Sequence, residues 1–428
     1  MLPAGSSIDP LHRKCIDIPK AFCGGNMDGW HFLQIPGPTN VPQRILRAIA
    51  QPTIDHRGKA FGEMGREIRA GLKHVFGTQS SVLIFPGSGT GAWEAALVNT
   101  LSPGDRVLMC ETGHFASLWQ EMAGRLGLQS QIVPTNWRSG ANVQSIAEAL
   151  HSDRSHSIRA VCVVHNETST GCRSDIAAVR KAMDDAGHPA LLLVDTISSL
   201  GSSPYLHDEW GVDVSVGCSQ KGLMLPPGLG FNAVSARAIE ASRRATSPKS
   251  YWSWQGMLET EGSGHFPYTP STNLLFGLRE ALAMLSECGL ETIWQRHALH
   301  ARATRAAVRT WGLELVCSEP EAFSHSLTAV MMPEGHSADQ FRAFIEERFN
   351  MALGNGLGRY KDRVFRIGHL GDFNDLMLAG TLSGIEMALG LCGIPHRKGG
   401  VQAALDVLQS GASGDQPAPV RDLQKLDA

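Results

Sequence analysis

Leu191-Leu192-Leu193-Val194-Asp195 and, further on, Val216-Gly217-Cys218-Ser219-Gln220-Lys221-Gly222 are the stretches on which the fold turns. The first is a short apolar run that stops on an acid. The second is an apolar run that stops on a lysine and is followed by Pro226-Pro227-Gly228. Uninterrupted apolar runs of this length, bounded by turn residues, are strands covered on both faces. The spacing therefore predicts two strands whose ends present an acid and an amine.

Outward from that centre the same alternation repeats. Upstream, Phe61, Met64, Ile68, Leu72 and Val75 step by three or four, which predicts an amphipathic helix. Strand Val82-Leu83-Ile84-Phe85 follows, then the turn Gly87-Ser88-Gly89-Thr90-Gly91 and a helix of good formers from Ala92 to Val98. Strand-like Arg106-Val107-Leu108-Met109, a helix over 118–126, strand-like Gln131-Ile132-Val133, strand Ala160-Val161-Cys162-Val163-Val164 and a helix over 175–186 lead to the Leu191 strand. Strands and helices in this rhythm predict an α/β fold with a mostly parallel sheet and helices on both faces. After Asn273 the pattern turns helical, over 274–285 and 291–308. Segments 326–332, 338–348, 364–367 and 376–389 then read as a smaller α/β domain.

The expected organisation is an N-terminal arm over 1–30, a large domain over 31–290, a small domain over 291–409 and a flexible tail over 410–428. Leu33-Gln34-Ile35-Pro36-Gly37-Pro38-Thr39-Asn40 reads as a rigid extended segment, because each proline fixes its own φ and restricts its predecessor. The chain has 428 residues, 43% of them hydrophobic and 18% charged, with a formal net charge of -3. That length suits two lobes. The charge points to neither nucleic acid nor an anionic membrane, and no apolar run is long enough to span a bilayer. Nine cysteines, none in a CxxC pair, fit neither a disulfide framework nor a zinc site, so a reducing cytoplasm is expected.

Each candidate site residue has a plainer reading beside the chemical one. Gly87–Gly91, between strand and helix, offers backbone N–H groups and two hydroxyls to a phosphate. It also serves simply as a tight turn. Asp195 suits a helix N-cap or an ion pair, and Lys221 suits the surface. Together and in this order, though, a phosphate loop, a strand-end acid and a strand-end lysine meet the needs of pyridoxal 5′-phosphate chemistry. The lysine forms a Schiff base, and the acid keeps the pyridine nitrogen protonated so that the ring accepts electrons. Arg366, in the apolar context Val364-Phe365-Arg366-Ile367-Gly368, is costly to bury unless paired. Its guanidinium fork suits a carboxylate, and equally a structural ion pair. His165, Glu167 and His369 fall near predicted strand ends, but they have no metal-ligand spacing.

Six motifs in order carry a resemblance to a known family. They are Pro36-Gly37-Pro38-Thr39-Asn40; Gly87–Gly91 with Trp93-Glu94-Ala95-Ala96; His165-Asn166-Glu167-Thr168-Ser169-Thr170-Gly171; Val194-Asp195-Thr196; Ser219-Gln220-Lys221-Gly222; and Phe365-Arg366-Ile367-Gly368-His369-Leu370-Gly371. From about Gln34 to about Gln409 the chain resembles the class V, fold-type I pyridoxal-phosphate-dependent aminotransferases, most closely those that act on serine or alanine with glyoxylate. The resemblance implies a large domain with a seven-stranded, mostly parallel sheet and a smaller C-terminal α/β domain. It implies that Lys221 attaches the cofactor, Asp195 binds the pyridine nitrogen, and Ser88, Gly89, Thr90 and Gln220 hold the phosphate. Phe115 is then the aromatic residue stacked on the ring, in place of the tryptophan of some relatives, and Thr168 touches the ring-oxygen side. Gly37 and Arg366 contact substrate. Thr269, with Tyr268, reaches the phosphate of a neighbouring subunit, which implies a homodimer with shared sites.

The resemblance implies transamination between a small L-amino acid, serine for preference, and glyoxylate. Alanine, aspartate and pyridoxamine remain as alternative donors. A donor with a second carboxylate would call on Arg57 or Arg359. A desulfurase needs a reactive cysteine on a late loop, and Asn355-Gly356-Leu357-Gly358 has none. A nucleotide-binding protein would need a Gly-Lys-Ser/Thr ending or a GxGxxG run, and the Gly87–Gly91 turn has neither.

Overall fold

The computed structural model describes residues 30–411. The expected arm, apart from Trp30, and the expected tail beyond Gly411 lie outside the described residues. The strands, in chain order, are β1 (Phe32–Gln34), β2 (Ser81–Gly87), β3 (Arg106–Glu111), β4 (Gln129–Pro134), β5 (Ile158–Val164), β6 (Asn166–Glu167), β7 (Cys172–Arg173), β8 (Leu191–Asp195), β9 (Val214–Cys218), β10 (Gly228–Val234), β11 (Glu314–Leu315), β12 (Leu327–Met331), β13 (Met351–Asn355) and β14 (Val364–Gly368). Seven of them form the main sheet in the order β2-β10-β9-β8-β5-β3-β4.

Both faces of that sheet are buried, which is why its strands read as continuous apolar runs. Ile84, Leu108, Val161, Leu192 and Val194 face one core, with Phe61, Met64, Ile68 and Leu72 of the helix Lys59–Phe76. Their strand neighbours Phe85, Met109, Cys162 and Leu193 face the other, with Trp93, Ala96 and Trp119. Side chains alternate across a strand, so one run supplies two cores. The helix stripe predicted from Phe61 to Val75 is buried throughout, and the helix stops at Gly77, whose φ of 64° is left-handed.

β10 alone runs antiparallel, to both β2 and β9. The segment 219–227 that joins β9 to β10 is too short for a crossover, which takes a dozen residues or more, so the chain must return antiparallel. Its register sets Gly228 beside Gly87, at the edge where the parallel strands end.

The second sheet has the order β1-β13-β14-β12-β11 and packs on the helices Leu290–Trp311, Ala338–Phe349 and Asp375–Leu391. β1 belongs to this sheet, pairing parallel with β13 in the register Phe32↔Met351. The segment expected at the start of the large domain thus begins in the C-terminal lobe. Three residues hold no readable period, and their place comes from main-chain bonds to β13. From there the extended Pro36–Asn40 segment crosses to the end of β9, where Thr39 N donates to Gln220 O at 3.2 Å. No helix among the described residues is long and apolar enough to cross a membrane.

Candidate active site

Ligands of open α/β sheets sit beyond the carboxyl ends of the parallel strands. Here β5, β8 and β9 end together, with Val164 opposite Asp195 and Asp195 opposite Val216. Asp195 is 4% exposed. Its Oδ1 accepts from Ile197 N at 2.6 Å and its Oδ2 from Trp93 Nε1 at 3.1 Å. Burial pushes the carboxyl up to about 7, against the pull of the Ile197 bond. Asp195 is therefore a buried acid poised to ionise beside a cation.

Lys221 lies just past β9 in a turn closed by Met224 N to Lys221 O and Leu225 N to Ser219 O. Gly222 is required there, because a Cβ would come within 2.1 Å of the Leu200 carbonyl oxygen. Lys221 is 9% exposed, and its Nζ donates to the Pro36 carbonyl. Burial lowers the amine to about 8, with Arg366 also pulling downward. Gly37 presses on this side chain. Its φ is 97°, and a Cβ would sit 2.3 Å from Lys221 Cδ. Thr39 Oγ1 donates to Lys221 O at 3.2 Å, so the proline-rich segment forms the roof over the amine.

The Gly87–Gly91 turn opens the helix Gly89–Thr100, with Ser88 as its N-cap residue. Gly89 meets Ile197, the neighbour of Asp195, so closely that a Cβ would lie 2.4 Å from Ile197 Cδ1. This contact ties the turn to the acid. Ser88 and Thr90 are exposed, and the Ser88 side chain makes no capping bond. Gln220 Oε1 is buried without a hydrogen-bond partner.

Phe115 is partly buried on the helix His114–Arg125, its ring edge-on to Trp93 at 6.5 Å. Trp93 in turn stacks on Trp119 at 5.9 Å. Glu167 fixes that helix end. Its carboxylate accepts from Phe115 N at 3.4 Å, Ala116 N at 3.1 Å and Ser169 N at 2.9 Å. A buried carboxylate at a helix N-terminus complements the local dipole. His165 bonds Ser199 Oγ and His369 bonds Thr328 Oγ1, so the histidines and acid named together from sequence make separate contacts.

Arg366 is 6% exposed on β14. It reaches across from the smaller sheet, donating from Nε to Asn355 O at 2.7 Å and from Nη1 to Thr168 O at 2.8 Å. Burial lowers its guanidinium to about 10, while Glu167 pulls upward. Nη2 and one N–H of Nη1 remain for a ligand. Thr168 itself donates from Oγ1 to Ser198 Oγ at 2.8 Å.

The chain therefore brings Lys221, Asp195, Gly37, Thr168, Gln220, Phe115, Arg366 and the Ser88–Thr90 turn to one edge. Tyr268 and Thr269 make no hydrogen bond to that turn among the described residues. Tyr268 stacks on Tyr251 at 4.7 Å, its hydroxyl is buried without a partner, and Thr269 is exposed.

The profile described as aminotransferase class-V matches residues 31–358. The chain is a class-V aminotransferase. It is 47% identical to a serine–glyoxylate aminotransferase of Methylorubrum extorquens, over 89% of this chain and 96% of that one. It is 44% identical to an L-aspartate–glyoxylate aminotransferase of Paracoccus denitrificans, over 86% and 94% of the two chains. The solved pyridoxamine–pyruvate aminotransferase of Mesorhizobium loti superposes with a TM-score of 0.82 at 28% identity, covering 89% of this chain and 97% of that one. Class-V aminotransferases are pyridoxal-phosphate-dependent enzymes of fold type I, and the seven-stranded sheet with its smaller C-terminal lobe is that fold.

Trp93, like Glu167, has a role in the site that its place in the sequence does not show. It stood inside a quoted motif without a task. A buried indole N–H needs an acceptor. The one it finds, Asp195, lies far away in sequence and becomes a neighbour only through the sheet.

Proposed function

We propose that this aminotransferase moves the amino group of a small L-amino acid, L-serine for preference, to glyoxylate, giving hydroxypyruvate and glycine. The observation that carries the reading is the pairing of a buried amine at Lys221 with a buried acid at Asp195 on one sheet edge. The substrate choice rests on the relatives named for serine and glyoxylate, at 43–47% identity.

The residues present fit pyridoxal phosphate. The raised carboxyl of Asp195 calls for a cationic partner, which a protonated pyridine nitrogen supplies. The Gln220 amide nitrogen, and the N–H groups and hydroxyls of the helix N-terminus at Ser88–Thr90, are donors suited to a phosphate. When bound, the cofactor supplies an aldehyde carbon for the amino group and a ring that takes up electrons.

The chain does the rest. Lys221 Nζ is the amine that would hold the cofactor's aldehyde carbon. Lowered by burial to about 8, the Lys221 amine is placed to take a proton from the substrate Cα as general base and to give it back as general acid. Asp195 would hold the ring nitrogen in its protonated form. The remaining N–H groups of Arg366 grip the α-carboxylate common to donor and acceptor. Phe115 and Trp93 give the ring an apolar wall. Tyr268, with its unpartnered hydroxyl, and the exposed Thr269 would serve the phosphate of a second copy, in a homodimer with shared sites. The free cysteines among the described residues suit a reducing cytoplasm.

Aspartate as donor is the second reading, favoured by the Paracoccus denitrificans relative. The test is a panel of serine, alanine, aspartate and pyridoxamine against glyoxylate, with kcat/KM for each. Serine is expected to lead. Absence of glycine formation with every donor would end the proposal.

A further inference from the structure

Trp137 lies in the loop after β4, the edge strand of the large sheet, yet most of its contacts are with the small lobe. It is buried in a cluster with Val316, Leu327, Ala329, Tyr360 and Val364. Its φ is 64°, a conformation a bulky L-residue rarely adopts unless neighbours hold it there. Three bonds do so. Trp137 N donates to Thr135 Oγ1 at 3.1 Å, its Nε1 donates to Glu111 Oε1 at 3.3 Å, and its carbonyl accepts from Tyr360 OH at 3.4 Å.

The indole seats one particular loop, residues 355–360. The Arg359 guanidinium lies 4.0 Å over the Trp137 ring. Gly358 packs on the same ring, where a Cβ would be 3.0 Å from its edge and 3.2 Å from His114 Nδ1, beside Phe115. The loop leaves from Asn355, the last residue of β13, opposite Phe365 of β14; the Asn355 carbonyl accepts from Arg366 Nε at 2.7 Å. Next to Trp137, Arg138 adds bonds to Val316 O at 3.0 Å and Leu315 O at 3.2 Å. The two lobes are thus joined at the point where the loop supporting Arg366 meets the large domain.

We propose that Trp137 is a positioning residue for substrate carboxylates: it holds loop 355–360 so that the Asn355 carbonyl sets the angle of the Arg366 fork. It never touches the reacting atoms. Arg359, engaged over the indole, belongs to this clamp and does not serve as the cation for a donor's second carboxylate. The assay rests on the transamination reading, and the binding and cleavage measurements do not.

The experiment compares Trp137→Ala, Trp137→Phe and Arg359→Ala with the wild type as holoenzymes. Trp137→Ala should raise KM for the amino donor and for glyoxylate together, on the order of tenfold, with kcat held within about twofold and the cofactor's absorbance unchanged. The dissociation constant of glycolate, an unreactive carboxylate, should rise in parallel by calorimetry. Trypsin should cut faster after Arg359, Lys361 or Arg363. Trp137→Phe should restore most of the loss. Arg359→Ala should raise both KM values roughly two- to fivefold, as loss of an exposed cation–π contact allows.

A fall in kcat or melting temperature with KM, glycolate affinity and cleavage unchanged would overturn the proposal. So would an Arg359→Ala variant that loses only dicarboxylic donors. If Trp137→Ala does not fold, Arg359→Ala and Tyr360→Phe decide by the same readouts. A wild type that makes no glycine refutes the transamination reading while leaving the glycolate and trypsin results to judge this one.

Discussion

The centre of the site and its rim are built differently. At the centre, Asp195 has both carboxylate oxygens bonded, and Lys221 is roofed by Pro36 and Gly37. At the rim, Ser88 and Thr90 are exposed, Gln220 Oε1 and the Tyr268 hydroxyl lack partners, and Thr269 faces outward. The centre is finished by the chain itself. Its titratable groups sit near neutrality because burial has already moved them. The rim offers donors and acceptors that a phosphate and a second subunit would complete. Chemistry is therefore pre-set and anchoring is not, so substitutions at the two places should fail in different ways.

The largest effect is expected at Lys221. Lys221→Ala should lower turnover beyond the roughly 10²–10⁴-fold that a positioned acid–base group contributes, since the point of attachment is lost as well. Borohydride reduction followed by peptide mass analysis checks it. An adduct on another peptide would move the centre elsewhere.

Next comes Asp195→Asn. Cofactor should still bind, while kcat falls on the order of a hundredfold, as for loss of one pre-set electrostatic group. The same variant tests the buried charge without turnover. In cofactor-free protein the Asp195 carboxyl is raised to about 7, above its unfolded value near 4. The native state then holds the extra proton between these values, so the Asp195 contribution to stability should fall as pH rises from about 4 to 7, while the buried neutral histidines act in the opposite direction. The loss is bounded at roughly 4 kcal/mol. The stability of the wild type relative to Asp195→Asn should therefore decline over that range in denaturant titrations, and a difference independent of pH would mean the acid is not raised.

The smallest effect belongs to the rim. Ser88→Ala should weaken cofactor binding roughly three- to tenfold, the worth of one hydrogen bond, and leave kcat at saturating cofactor unchanged. A large fall in kcat would erase the distinction between centre and rim.

Much of the fold was legible because most strands of the large sheet are buried on both faces and announce themselves as apolar runs; β10 was not, since Gly228 and Gly230 break up its run. The helix stripe from Phe61 to Val75 was equally plain. β1, β6, β7 and β11 were not legible, since two or three residues show no period and are held by their partners' backbones. β13 was missed because Met351-Ala352-Leu353-Gly354-Asn355 mixes small residues and glycine within a short span. Of the site, Lys221, Asp195 and the Gly87–Gly91 turn stood out by residue type at strand ends, and Arg366 as a charge inside an apolar strand. Trp93 and Glu167 did not show their tasks. One binds Asp195 and the other caps the helix of Phe115, and neither partner is near in sequence.

The order of apolar runs and turns by itself determined the α/β class and the lysine and acid at strand ends, and the six motifs carried the resemblance to the family. Those are properties of local pattern and spacing. Only the tertiary structure decided that Gly37 roofs Lys221, that β1 joins the far sheet, and that Arg366 hangs from Asn355 and Thr168. Apart from the bond between Arg366 and nearby Asn355, those contacts join segments roughly two hundred or more residues apart. They exist only because the register of two sheets brings the segments within bonding distance, and no local preference encodes that distance.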